Sequence, residues 1–81
     1  MRVMRVNDDP FIVTGRSIWS PFYGRDLFSS WRFNDARAVA MRIIMTDDRI
    51  RSVRVTRGDD VIMTIRRRDH RFGRTYQVVF S

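Results

Sequence analysis

Asn34-Asp35-Ala36-Arg37-Ala38-Val39-Ala40-Met41-Arg42-Ile43-Ile44-Met45-Thr46 is the stretch that decides the fold. Ala36, Val39, Ala40, Ile43 and Ile44 fall at i, i+3, i+4, i+7 and i+8, a continuous apolar stripe at helical spacing. All three alanines of the chain lie here. Asn34 or Asp35 suits an N-cap, with the carboxylate favourable at the positive end of a helix. Thr46-Asp47-Asp48 ends the element. The spacing predicts one helix over about residues 35–46, with its stripe turned to a core.

Outward from the helix the period becomes two. In Arg49–Arg57, Val53 and Val55 alternate with Ser52, Arg54 and Thr56. In Val61–Arg67, Val61, Met63 and Ile65 alternate with Ile62, Thr64 and Arg66. In Thr75–Phe80, Tyr76, Val78 and Phe80 alternate with Thr75, Gln77 and Val79. Gly58 in Arg57-Gly58-Asp59-Asp60 marks a turn, and Arg68–Arg74 reads as a basic loop around Asp69, His70 and Gly73. Three strands with short connections predict an antiparallel meander. Before the helix, Arg2–Val6 and Phe11–Thr14 are strand-like, parted by Asn7-Asp8-Asp9-Pro10, and Trp31-Arg32-Phe33 reads as a further edge strand. Residues 15–30, with Pro21 and Gly24, resist assignment. Nine Val and seven Ile against a single Leu also favour sheet, because Cβ-branched side chains suit a pleated surface. The expected fold is α+β, a two-layer single domain over residues 1–81 with one helix on an antiparallel sheet in the order ββ(β)-α-βββ.

Charge carries the functional signal. The chain has sixteen basic residues, all arginine, and nine acids, all aspartate, giving a net charge of +7. Residues 1–35 hold five Arg and four Asp, for +1; residues 36–81 hold eleven Arg and five Asp, for +6. A guanidinium is a planar fork of donors that grips phosphate or carboxylate bidentately and stacks on aromatic rings. Codon usage in a G+C-rich genome selects arginine over lysine, but it does not set the sign of the excess. The expected partners are therefore nucleic acid, a nucleoprotein complex or an acidic protein surface.

Arg54, Arg66, Arg67, Arg68, Arg71 and Arg74 form the candidate contact patch, with Phe72 as a stacking or docking residue in the Arg68–Arg74 loop. Set against this is a solvated face with internal Arg–Asp pairs. As surface residues, Arg67, Arg68 and Arg71 are expected to matter little for folding. The other aromatics that interleave with charge, Trp19, Phe22, Tyr23, Phe28, Trp31 and Phe33, are expected to fill the core. Ile62 and Val79 fall on the outer sheet face, where the N-terminal segment, another molecule or a second copy would cover them.

Other classes find little support. The lone His70 has only Asp69 beside it, and there is no cysteine, so neither a nucleophilic triad nor a thiolate metal site is expected. The pairs Asp8-Asp9, Asp47-Asp48 and Asp59-Asp60 fall at turns or a helix end, where aspartate has local hydrogen-bonding roles. The expectation is a non-enzyme with no cofactor and no metal. The apolar runs are far shorter than the ~20 residues of a membrane span. Arginines interrupt Met1–Val6, so no signal peptide is expected either. The chain reads as a complete cytoplasmic protein without a membrane partner.

The stretch from Phe33-Asn34-Asp35-Ala36 through Ile65-Arg66-Arg67 resembles, in element order, size and charge, small stand-alone phage proteins that include anti-CRISPR inhibitors. The resemblance implies a non-enzymatic protein that blocks a host nucleic-acid machine by occupying a surface. It carries no motif from which a residue's role transfers. At +7 the chain departs from the acidic members that mimic DNA. A basic inhibitor of this kind would seize nucleic acid, guide RNA or an acidic protein face. The other reading is a direct, sequence-tolerant DNA- or RNA-binding protein.

Overall fold

The structure, a computed structural model, describes residues 9–81, and of Arg25 the backbone only. The expected strand Arg2–Val6 lies outside the described residues. The elements are β1 (Phe11–Ser17), β2 (Tyr23–Ser30), α1 (Phe33–Thr46), β3 (Ile50–Arg57), β4 (Asp60–His70) and β5 (Gly73–Phe80). Among the described residues, five strands form one sheet in the order β2-β1-β3-β4-β5, every neighbouring pair antiparallel. One helix packed on one antiparallel sheet is the two-layer α+β architecture that the periodicities predict.

The helix stripe is centred on Ala36, Ala40 and Ile44, which are fully buried. Two alanines at its middle let the helix backbone lie close over the sheet, where Val13, Val53, Val55, Met63 and Ile65 complete the core. Val39 and Ile43 sit at the stripe's margin, half-buried. The helix begins at Phe33, with Arg32 at the N-cap position and no capping side chain. Asn34 and Asp35 are therefore inside the first turn, where Asp35 still complements the positive helix end. Phe33 is drawn into the helix by its edge-to-face contact with Phe11, ring centroids 5.5 Å apart, and by packing on the core. Trp31-Arg32-Phe33 is thus not an edge strand.

The region that resisted assignment forms a hairpin. β1 runs on to Ser17, and β2 carries Tyr23–Ser30 back along it with two irregularities of register. Gly15 allows this packing: a Cβ there would lie 3.0 Å from Leu27 Cδ1 and 3.3 Å from Ile50 Cδ1. The expected basic loop is also mostly strand. β4 and β5 stay paired out to His70↔Gly73, so that only Arg71 and Phe72 form the turn.

Among the described residues, α1 lies over β1 to β4, and on the helix side of β5 Tyr76 alone packs against the core. Val78 and Phe80 are consequently exposed on a groove of about 560 Å³, also lined by Met41, Met45, Arg37 and Arg42. Among the described residues, no helix is long and apolar enough to cross a membrane.

Candidate functional site

On the sheet face away from the helix, the strand register aligns one polar row across all five strands. Tyr23 pairs with Arg16, Arg16 with Ser52, Ser52 with Arg66, and Arg66 with Gln77. The next row towards the β4–β5 turn adds Arg68 opposite Thr75. On the other side, Thr14, Arg54, Thr64 and Val79 form a parallel row. Strict alternation would send Arg51 to the helix face, but a bulge intervenes. Arg16 pairs with Ser52 while Ser17 pairs with Ile50, leaving Arg51 as the extra residue. The bulge lets Ile50 pack on the core and re-aims Arg51. Arg16, Arg51, Arg66, Arg67, Arg68 and Gln77 together line a concavity of about 320 Å³.

The floor of this face is built. Tyr23 reaches across β1 to hydrogen-bond Ser52 at 2.6 Å, and Ser52 is fully buried. The Arg54 guanidinium carbon stands 3.9 Å from the centre of the Tyr23 ring, a cation–π contact at stacking distance. Arg54 Nε is buried without a hydrogen-bond partner, so the ring face supplies the electrostatic compensation for that desolvated cation.

Arginines on the opposite side of the β4–β5 hairpin have a different role. Arg67 is buried, and its guanidinium donates to the carbonyl oxygens of Asp47 at 3.3 Å and Asp48 at 2.9 Å. Its Nε lies 3.1 Å from Asp69 Oδ1, close enough for an ion pair but out of line for a hydrogen bond. Arg74 bridges Asp48 at 2.7 Å and Asp69 at 3.3 Å. Arg49 pairs with Asp47 at 3.2 Å. The Arg49 side chain, with its backbone N–H adding a second bond, holds the Asp47 carboxyl below the ordinary carboxylate value. The Asp48 carboxylate in turn holds the Arg74 guanidinium above its usual value. Asp47, Asp48 and Asp69 are thus spent on Arg49, Arg67 and Arg74, binding the α1–β3 turn to the hairpin.

The seven expected contact residues therefore separate. Arg66 and Arg68 are exposed on the outer face, and Arg54 is half-buried on the same face against Tyr23. Arg71 and Phe72 form the hairpin tip, with the guanidinium 5.7 Å from the ring centre. Arg67 and Arg74 belong to the internal ion-pair network. Arg67 is a buried structural residue, which corrects its expected place on the surface. Arg16 and Arg51 join the concavity without having been expected there. No described acid lies within ion-pairing distance of Arg16, Arg51, Arg66 or Arg68.

The aromatics also depart from expectation. Phe28 and Phe33 pack against the core, but Trp19 is 74% exposed, Phe22 77% and Trp31 69%. Tyr23 lies on the outer face. Phe72, expected to be exposed, is 93% so. Ile62 is half-buried and Val79 exposed; Ile62 is the extra residue of a second bulge, between the pairs Val55↔Met63 and Thr56↔Val61. His70 Nε2 lies 2.8 Å from Thr75 Oγ1 across the hairpin. Among the described residues, no three His or Asp side chains are grouped to hold a metal ion.

No protein-family model, curated protein or solved structure matches the chain.

Proposed function

We propose that the chain is a non-catalytic binding protein that engages nucleic-acid phosphates through the outer sheet face. It would act on a host nucleic-acid-processing complex by occupying that nucleic acid, as a phage accessory protein of the resembled kind would. The observation that supports this reading is the segregation of compensated from uncompensated charge. The aspartates of the α1–β3 turn and the hairpin neutralise one set of guanidiniums, and four others surround a concavity with no described acid beside them. Holding like charges together without counter-charge disfavours the free protein, and a polyanion relieves that repulsion. Phosphates are equivalent along a strand, so such contacts give affinity with little sequence preference.

A second reading draws on the groove between α1 and β5. Its apolar floor and its two arginines, Arg37 and Arg42, suit an acidic segment of a protein partner. Nuclease treatment separates the two. Capture of a host complex that is lost on digestion supports phosphate engagement, and capture that survives supports the protein surface. The direct test of the first reading is anisotropy of labelled nucleic acid with Arg66→Ala/Arg68→Ala. The double variant is expected to bind at least tenfold more weakly while His70→Ala binds like the parent. Equal binding by the double variant would remove the outer face from the site.

A further inference from the structure

The topology brings two exposed aromatics to the two sides of the arginine concavity. Because neighbouring strands are antiparallel, the C-terminal end of β1, the N-terminal end of β3 and the C-terminal end of β4 share one end of the sheet. The β1–β2 and β4–β5 turns both project from that end. The first carries Trp19 and the second Phe72. Three strand spacings of about 4.8 Å separate the hairpins, about 14 Å in all. Arg16, Arg51, Arg66 and Arg68 lie on the strands between them.

We propose that this end of the sheet binds single-stranded nucleic acid, with Trp19 and Phe72 as base-stacking residues on either side of a phosphate-binding strip. The inference rests on the phosphate reading above and adds to it the state of the ligand. Large aromatic rings left in water are the informative departure from ordinary burial. Here the turns that carry them stand at the sheet end that holds Arg16, Arg51, Arg66 and Arg68, which have no described acidic partner, and the Arg71 guanidinium lies 5.7 Å from the Phe72 ring centre. Every base offers a π-face to a ring, but only an unstacked base can present it, so this combination selects single strands over duplex.

The β1–β2 turn is also held in place. Ile18 N–H donates to Arg49 O at 3.0 Å, Ser20 N–H to Ser17 O at 3.2 Å, and Trp19 N–H to Ser17 Oγ at 3.0 Å. A fixed turn backbone lowers the ordering cost of presenting the ring at binding.

The test uses a labelled oligothymidine of about twelve nucleotides, within the site sizes of such grooves, against a duplex of equal length at matched salt. The single strand is expected to bind about tenfold or more tightly than the duplex. In a Trp31→Phe background its binding is expected to quench the emission of Trp19. Trp19→Ala and Phe72→Ala are each expected to weaken single-strand binding about tenfold, with unchanged melting and unchanged salt dependence. Both side chains are exposed, so loss of fold does not confound the result, and Trp19→Phe is expected to restore most of the affinity. Duplex bound as tightly as single strand, or parent-like binding by both alanine variants, would overturn the inference and leave the phosphate reading standing. Binding to neither probe would overturn both.

Discussion

Neighbouring arginines of one strand do opposite work here. Arg66 and Arg68 face solvent on the outer side of β4, and Arg67 between them is buried against the end of α1. Removing Arg67 strips two carbonyl oxygens of their cationic donor and Asp69 of one of its two cationic partners. Arg67→Ala is therefore expected to lower unfolding free energy by about 1.5–3 kcal/mol. Arg66→Ala and Arg68→Ala are expected to stay within about 0.5 kcal/mol of the parent. Urea denaturation of the three single variants checks this. Arg67→Lys is expected to recover only part, because a point charge cannot span both carbonyls as a planar fork does. The run Arg66-Arg67-Arg68 announced the cluster and led to the expectation that all three lie on the contact surface, whereas alternation along β4 turns the middle member to the helix face. What alternation could not show is that this face, at that point, is the buried end of the helix. The Asp47–Arg49 pair gives a pH signature. A carboxyl held below its ordinary value contributes stability that is present above the unfolded-state pKa and is lost as pH falls through the folded-state pKa. The difference in melting temperature between the parent and Asp47→Asn is expected to be largest near neutrality and to shrink as the carboxylate protonates in acid.

At the scale of elements, the helix and the three strands after it follow from periodicity, because each has one face on the core. Ile44 is fully buried and Ile43 half-buried, so Ile44→Ala is expected to cost about 2–5 kcal/mol and Ile43→Ala clearly less, by thermal or chemical denaturation. The β3–β4 connection was equally legible. Gly58 occupies the first central position of a two-residue loop between the paired Arg57 and Asp60, with φ +60°. Glycine at that position is the pattern of a type II′ hairpin. A Cβ there would also lie 2.7 Å from Asp9 Oδ2. Gly58→Ala is expected to destabilise by about 1 kcal/mol or more, read from the shift in denaturation midpoint. Three features escaped the sequence for physical reasons. β2 has register irregularities and exposed apolar residues such as Leu27, so its alternation does not report a buried face. The bulge at Arg51 shifts parity within a strand, which no period-two count detects. Large aromatics usually belong to the core, but Trp19 and Phe22 fall in the β1–β2 turn and Trp31 in the β2–α1 connection, where no periodicity reports which way a ring lies.

For the whole molecule, the lopsided charge of the sequence becomes a spatial division. The helix end and one side of the β4–β5 hairpin hold a closed Arg–Asp network, and the outer face holds Arg16, Arg51, Arg66 and Arg68 without described acidic partners. The sequence located the excess in the second half, but Arg16 comes from the first, brought into line by the pairing of β1 with β3. Engagement of phosphates by this face releases counterions, and a salt titration measures that release directly. Affinity for a labelled oligonucleotide should be followed from low to moderate salt for the parent and for Arg51→Ala/Arg66→Ala/Arg68→Ala, with melting curves to establish that both are folded. Four phosphate contacts predict a log–log slope of about −3 to −4 for the parent. The triple variant is expected to fall to about −1, with a large loss of affinity at low salt and nearly unchanged melting. A triple variant with the parent's affinity and slope would contradict that engagement.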